Sequence, residues 1–342
     1  MSLGTAEGYG PPVAGTNPLA VLPSIEPDLQ RVEAELLSAA ASEDAYLTDI
    51  ATHLIKAGGK RVRPGFCIAA AATAHQQDRA ATNEVIAAAV AVELVHLGSL
   101  YHDDVMDDAI TRRTVQSVNA KWGNLKAILA GDFLLARASE IAASLGVEVA
   151  GLLAATIAKL CEGQVLELEY TYRTDRTQEV YLRSIEGKTA SLLGTACRIG
   201  GIVADLERTH IDALTTFGLS YGTAFQIVDD VLDLVSTEEA LGKPAGHDVE
   251  EGVYTLPVLL ALEGPMEPKL RPLLTDAMTP ETRNQVVEML RESDVIERSI
   301  AVARQAAVTA VDALAALPQS PGATALDAAA RHLVSSVEAA AH

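Results

Sequence analysis

The chain has 342 residues, of which 49% are hydrophobic, 21% charged and 4% aromatic. That is enough apolar material for a large core, which excludes a disordered chain. Lys and Arg number 26 against 46 Asp and Glu, a net charge of -20 that repels a polyphosphate backbone and makes nucleic acid an unexpected partner. An anionic substrate must then be held by local cations or by metal ions that reverse the field.

Residues 1–25 hold Gly4, Gly8, Gly10, Pro11, Pro12, Gly15, Pro18 and Pro23, a composition that reads as a flexible N-terminal arm ahead of one domain over 26–342. Apolar residues then recur at helical spacing, as Leu29, Val32, Leu36 and Leu37, and as Leu47, Ile50 and Leu54. Ser42 is the expected N-cap of the second set, and both helices end by Gly58-Gly59. Further helices are expected over 64–76, 80–108, 124–145, 147–170, 178–203, 206–235, 252–263, 280–292, 294–316 and 322–340. Asp205 and Thr279 are expected caps, and no strand-turn-strand pattern competes. An all-α, single-domain helical bundle follows. Cys67, Cys161 and Cys197 lack metal-ligand spacing and read as reduced core residues. Glu93, His96 and Asp103 interrupt the most apolar run, and no secretory leader is evident, so a cytoplasmic protein is expected.

The pattern Asp-Asp-x-x-Asp occurs twice, as Asp103, Asp104, Asp107 and as Asp229, Asp230, Asp233. On a helix the first and last carboxylates of each triplet stack one turn apart, where like charges repel unless a cation intervenes. Oxygen-only ligands on rigid helices suit Mg2+, which bridges carboxylates to substrate phosphates. Taken alone, one triplet is an ordinary solvated acidic face; the pair, beside misplaced cations, is not. Those cations are Lys60, Arg61 and Arg63 after the glycine break, Arg112 and Arg113 just past the first triplet, Lys188 and Lys243. His96 lies seven residues before Asp103, on nearly the same helical face, and Gln226 joins the second triplet in an i, i+3, i+4, i+7 stripe.

With these residues assembled, the chain resembles the all-trans isoprenyl diphosphate synthases, the polyprenyl synthetase family, from about residue 28 onward. The motifs are GGKRVRP at 58–64, ELVHLGSLYHDDVMDDAITRR at 93–113, GDFLLARA at 131–138, GKTASLLGTACRIGG at 187–201, FQIVDDVLDL at 225–234 and GKPAGHDVEEGVYTLP at 242–257. The resemblance implies an isoprenoid synthase helical bundle around a central cavity, assembled as a homodimer. It also implies that Asp103, Asp107 and Asp229 bind Mg2+, with Asp104, Asp230 and Asp233 in or near the shell. Arg112, Lys188 and Lys243 would contact the allylic diphosphate, and Lys60, Arg63, His96 and Arg113 that of isopentenyl diphosphate. Thr189 and Gln226 would face the developing allylic cation.

The family often has glycine where Thr114 stands, and a lysine where Val253 stands, so one diphosphate contact is expected to be missing. In the family the residues five and four before the first aspartate help set product length. Here these are the small Gly98 and Ser99, which implies a long product of the heptaprenyl to decaprenyl range. Phe133 closing the tunnel earlier would leave a geranylgeranyl-sized product. A long lipid product could also bring the enzyme to a membrane surface. A non-catalytic partner subunit would require a lost aspartate motif, and a class I terpene cyclase has no use for the isopentenyl-binding set.

Overall fold

The computed structural model describes residues 17–236 and 245–341. In chain order its helices are α1 (Ile25–Ala39), α2 (Ala45–Ala51), α3 (His53–Lys56), α4 (Val62–Ala72), α5 (Asn83–Met106), α6 (Val118–Trp122), α7 (Asn124–Ser144), α8 (Val147–Glu169) and α9 (Gln178–Ile185). They continue with α10 (Ser191–Val203), α11 (Arg208–Val235), α12 (His247–Glu250), α13 (Leu256–Leu262), α14 (Glu267–Leu270), α15 (Pro280–Arg291), α16 (Val295–Ala313) and α17 (Pro321–Ala341).

The bundle is organised around α5. Thr82 starts it, its hydroxyl accepting from the Val85 N–H at 3.3 Å. Val85, Ile86, Ala88, Val90, Val92, Leu94, Val95 and Leu97 are all buried, so no face is left for water. A helix apolar on every side must be surrounded, and α1, α4, α7 and α10 pack against it. Each fully buried Leu or Val contributes about 1.5–3 kcal/mol of transfer free energy. The α5–α7 crossing is close because Gly98 faces Gly131, where an added Cβ would come within 3.1 Å of the Gly131 carbonyl oxygen. On the other side α11 lies between α10 and α16, and α17 covers α4 and α11.

Several local expectations are corrected. The arm ends before residue 25: Asn17 accepts from the Leu19 N–H at 3.0 Å to start a 3-10 turn at Pro18–Val21, and Leu19, Leu22 and Ile25 are buried. These three apolar side chains recur every third residue, and the 3-10 turn that carries Leu19 packs against α17. Residues 1–16 lie outside the described residues. Asp44, not Ser42, caps α2, accepting from Tyr46 N–H at 2.8 Å. Asp205 takes a left-handed turn, φ 55°, two residues before the Glu207 cap of α11. Thr279 does cap α15, accepting from Thr282 N–H at 3.2 Å.

A two-stranded ribbon, β1 (Thr111–Arg112) with β2 (Val115–Gln116), departs from the expectation of helices without a strand-turn-strand pattern. Its two-residue turn needs positive φ at both central positions, and Arg113 and Thr114 adopt φ 51° and 64°. That requirement explains why glycine suits the place of Thr114, whose branched side chain is strained there by about 1 kcal/mol.

Cys161 is exposed on α8, whereas Cys67 and Cys197 are buried. Three helices, Asn83–Met106, Val147–Glu169 and Val295–Ala316, are long and apolar enough to cross a membrane, which the interrupting charges had argued against. For α5 the apolar surface is taken up by the bundle, with 72% of the window buried inside the protein.

Candidate active site

The first acidic motif ends α5. Asp103 and Asp107 are linked through the backbone, the Asp107 N–H donating to the Asp103 carbonyl at 2.9 Å, and both reach solvent. Asp104 turns inward and is fully buried, with Oδ1 accepting from Nε and Nη2 of Arg112 at 2.7 Å and Oδ2 without a partner. Burial pushes the Asp103 carboxyl up to about 6; Asp107 adds to the shift, while Lys188 and Arg112 oppose it.

The second motif lies on α11 and divides the same way. Asp229 is exposed, while Asp230 and Asp233 are buried. Asp230 accepts from the Tyr181 hydroxyl at 2.5 Å and from Gln226 Nε2 at 2.9 Å, and burial pushes it up to about 7. Gln226 in turn accepts from the Thr189 hydroxyl at 2.7 Å. Thr189 thus spends its single proton on Gln226, and the remaining lone pairs of its oxygen are acceptors. Asp233 accepts from the Asp248 N–H at 3.3 Å.

The two motifs meet through α8 and the segment after α9. There a π turn, Glu186–Ala190, carries Lys188 and Thr189, a departure from α geometry common at functional sites. It can form because Gly163 of α8 presses on the Lys188 and Gly187 backbone, leaving no room for a Cβ. Lys188 Nζ pairs with Glu167 Oε1 at 2.6 Å. Burial works against the lysine charge, but Glu167, Asp103 and Asp107 hold its pKa above the ordinary value. The Glu167 charge is felt by Asp103 and Asp107 from one motif and by Asp230 from the other.

The cations at 58–63 stand across from these acids. Gly58, Gly59 and Arg61 have φ of 83°, 150° and 47°, and Arg61 anchors the loop by pairing with Glu33 and, at 2.9 Å, with Glu93. Lys60 lies in the field of Asp229, though burial is the larger influence and lowers its pKa. Arg113 donates to the Leu54 carbonyl at 3.1 Å and to that of Gly58, which binds the ribbon to the loop. Arg63 has a buried Nε without a partner.

The polyprenyl synthetase family model matches residues 44–292. The chain belongs to the polyprenyl synthetase family. It is 41% identical over 315 residues to the nonaprenyl diphosphate synthase of Mycobacterium tuberculosis, covering 91% of this chain and 93% of that protein. It is 41% identical over 298 residues to the heptaprenyl diphosphate synthase component 2 of Geobacillus stearothermophilus, covering 86% and 91%. Among solved structures, the polyprenyl synthase of Caulobacter crescentus, complexed with calcium and isoprenyl diphosphate, superposes with a TM-score of 0.86 at 33% identity, covering 95% of this chain and 99% of that one.

In this polyprenyl synthetase, then, both triplets, Lys60, Arg63, His96, Arg112, Arg113, Lys188, Thr189 and Gln226 gather around one region. Lys243 lies outside the described residues. Of the two chain-length positions only Ser99 shares the helical stripe of His96 and Asp103, its hydroxyl donating to the His96 carbonyl at 2.8 Å. Gly98, expected to act with it, faces α7 at the helix crossing instead. Glu93, Glu167 and Tyr181 were not anticipated. The one trace in the sequence is that Glu93 lies in an apolar run three residues before His96; Glu167 is one of four glutamates on α8 and nothing in its spacing marks it.

Burial and then Arg63, Arg113, Arg61 and Arg112 hold the His96 imidazole well below its ordinary pKa. The folded protein therefore keeps it neutral while the unfolded chain takes up a proton below about pH 6.5. The unfolded state binds more protons there, so stability is lost as pH falls, by up to about 1.4 kcal/mol per pH unit. Urea unfolding between pH 7 and 5 should show a steeper loss for the natural protein than for His96→Gln. Equal slopes would mean that the imidazole is free to charge in the fold.

Proposed function

We propose that this polyprenyl synthetase condenses isopentenyl diphosphate with an allylic diphosphate and extends it to an all-trans product of heptaprenyl to decaprenyl length. The observation that carries the reading is the convergence of Asp103 and Asp107 of the first motif and Asp230 of the second on Glu167, which Lys188 pairs, with a second cation group, Lys60, Arg63, Arg113 and neutral His96, opposite. Two cationic groups fit two diphosphates.

The donor set fits Mg2+: Asp103, Asp107 and Asp229 offer oxygens to solvent, and the buried Oδ2 of Asp104 adds negative charge behind them. Among the described residues no three acids, histidines or cysteines stand together as a ready cage, so part of the shell has to come from substrate oxygens and water. When bound, Mg2+ neutralises charge on the departing diphosphate. Lys188 and Arg112 orient that group. Lys60, Arg63, Arg113 and His96 place the isopentenyl double bond against the allylic carbon. The free lone pairs of Thr189 face the positive charge that develops there, and the apolar walls exclude water. The released diphosphate takes the proton that completes the new double bond.

A homodimer is the proposed assembly, supported by Leu125, Leu129, Val147 and Val165, which stand exposed along α7 and α8. Cytoplasmic placement, with contact to a membrane for product release, belongs to the same proposal. Incubation with labelled isopentenyl diphosphate, Mg2+ and primers of different length, followed by separation of products by carbon number, tests it. Products ending at the geranylgeranyl length would support the shorter reading, with Phe133 as the floor. No incorporation at all would overturn the synthase reading.

A further inference from the structure

Arg176, in the loop between α8 and α9, is only 5% exposed, yet most of its guanidinium is unused. Nη1 donates to the Tyr254 carbonyl at 3.2 Å, while Nε and Nη2 are buried without a partner. The group sits 5.4 Å from the centre of the Tyr181 ring, whose hydroxyl holds Asp230. Glu167 and Asp230 are within its electrostatic reach, so it shares with Lys188 the carboxylate at the junction of the two acidic motifs.

The loop is tied to the segment that follows the second motif: the Tyr172 N–H donates to the Gly252 carbonyl at 2.9 Å, and Arg176 to that of Tyr254. Between these ties lies Val253, which brings no charge. A strut would need only the bond from Nη1. Nε and Nη2 form the side edge of the guanidinium, the fork that grips two oxygens of a phosphate or carboxylate. A buried cation with this fork open is incomplete without an anion.

We propose that Arg176 binds the allylic diphosphate through Nε and Nη2, delivering from the α8–α9 loop a charge that the Val253 segment does not carry. This rests on the reading above that the allylic diphosphate lies between the two acidic motifs.

Two variants test it. Arg176→Gln keeps a donor for the Tyr254 carbonyl and removes the charge, and Arg176→Lys keeps the charge without the fork. With both substrates varied, Arg176→Gln should raise the KM of the allylic diphosphate by about tenfold or more and leave that of isopentenyl diphosphate within about twofold. Arg176→Lys should recover part of that loss. Thermal stabilisation by Mg2+ with inorganic diphosphate should shrink in the same order. Unchanged KM values, an equal rise in both, or a lower ligand-free Tm with normal KM values would each overturn the assignment. Should Asp103→Ala turn over normally, the site reading itself fails; should it be inactive while Arg176→Gln is normal, only the arginine assignment fails.

Discussion

Asp103→Ala is expected to lower turnover by about a thousandfold without loss of the fold. The carboxylate is half-buried at the end of α5, one helical turn from Asp107, and burial pushes it up to about 6. At neutral pH the protein thus holds a charge there against both burial and a like neighbour, a strain that Lys188 and Arg112 relieve in part and an arriving cation would relieve further. Alanine removes that repulsion, so the ligand-free variant should melt no lower than the natural protein. What it should lose is the rise in Tm on adding Mg2+ with inorganic diphosphate. Product formation and thermal melts on the same samples separate the two effects. Near-normal turnover, or a Tm rise equal to that of the natural protein, would refute the metal assignment.

Ser99→Phe is expected to shift the product from the long range to the farnesyl or geranylgeranyl size. Ser99 lies one turn deeper than Asp103 on the stripe that carries His96, and its hydroxyl is satisfied locally by the His96 carbonyl. On the proposed chain-length role of Ser99, a phenyl ring there would project into the path of the growing tail. Turnover per condensation should be largely kept, since no charged group moves. Gly98→Phe makes a useful contrast, because its side chain would enter the α5–α7 crossing against Gly131 and Leu135. That variant should lose about 1–3 kcal/mol of stability from overpacking. An unchanged product distribution for Ser99→Phe, read by carbon number, would place the floor on another helix.

The acidic motifs were legible because Asp-Asp-x-x-Asp at helical spacing is a local pattern: it places the first and last carboxylates on one face whatever surrounds them. The long helices were legible for the same reason, through apolar periodicity. The ribbon at Thr111–Gln116 was not, since neither Arg113 nor Thr114 is a residue that advertises positive φ. Glu93, Glu167 and Arg176 belong to no spacing pattern that marks them out in the sequence. Their importance arises from partners 21 to 78 residues distant in the chain, as with Arg61 on Glu93, Lys188 on Glu167 and Tyr254 on Arg176.

The sequence by itself determined an all-helical chain, two stacks of carboxylates, and cations placed where a strongly acidic protein has no general use for them. Tertiary structure decided the division of labour within each triplet: Arg112 pairs with Asp104 and Tyr181 and Gln226 with Asp230, both buried, whereas Asp103, Asp107 and Asp229 reach solvent. It also decided that Gly98 is taken up by the α5–α7 crossing against Gly131 and Leu135. The physical reason is that helical periodicity is a property of neighbours in the chain, whereas burial, hydrogen-bond partners and electric field are set by whichever distant segments the packing brings together.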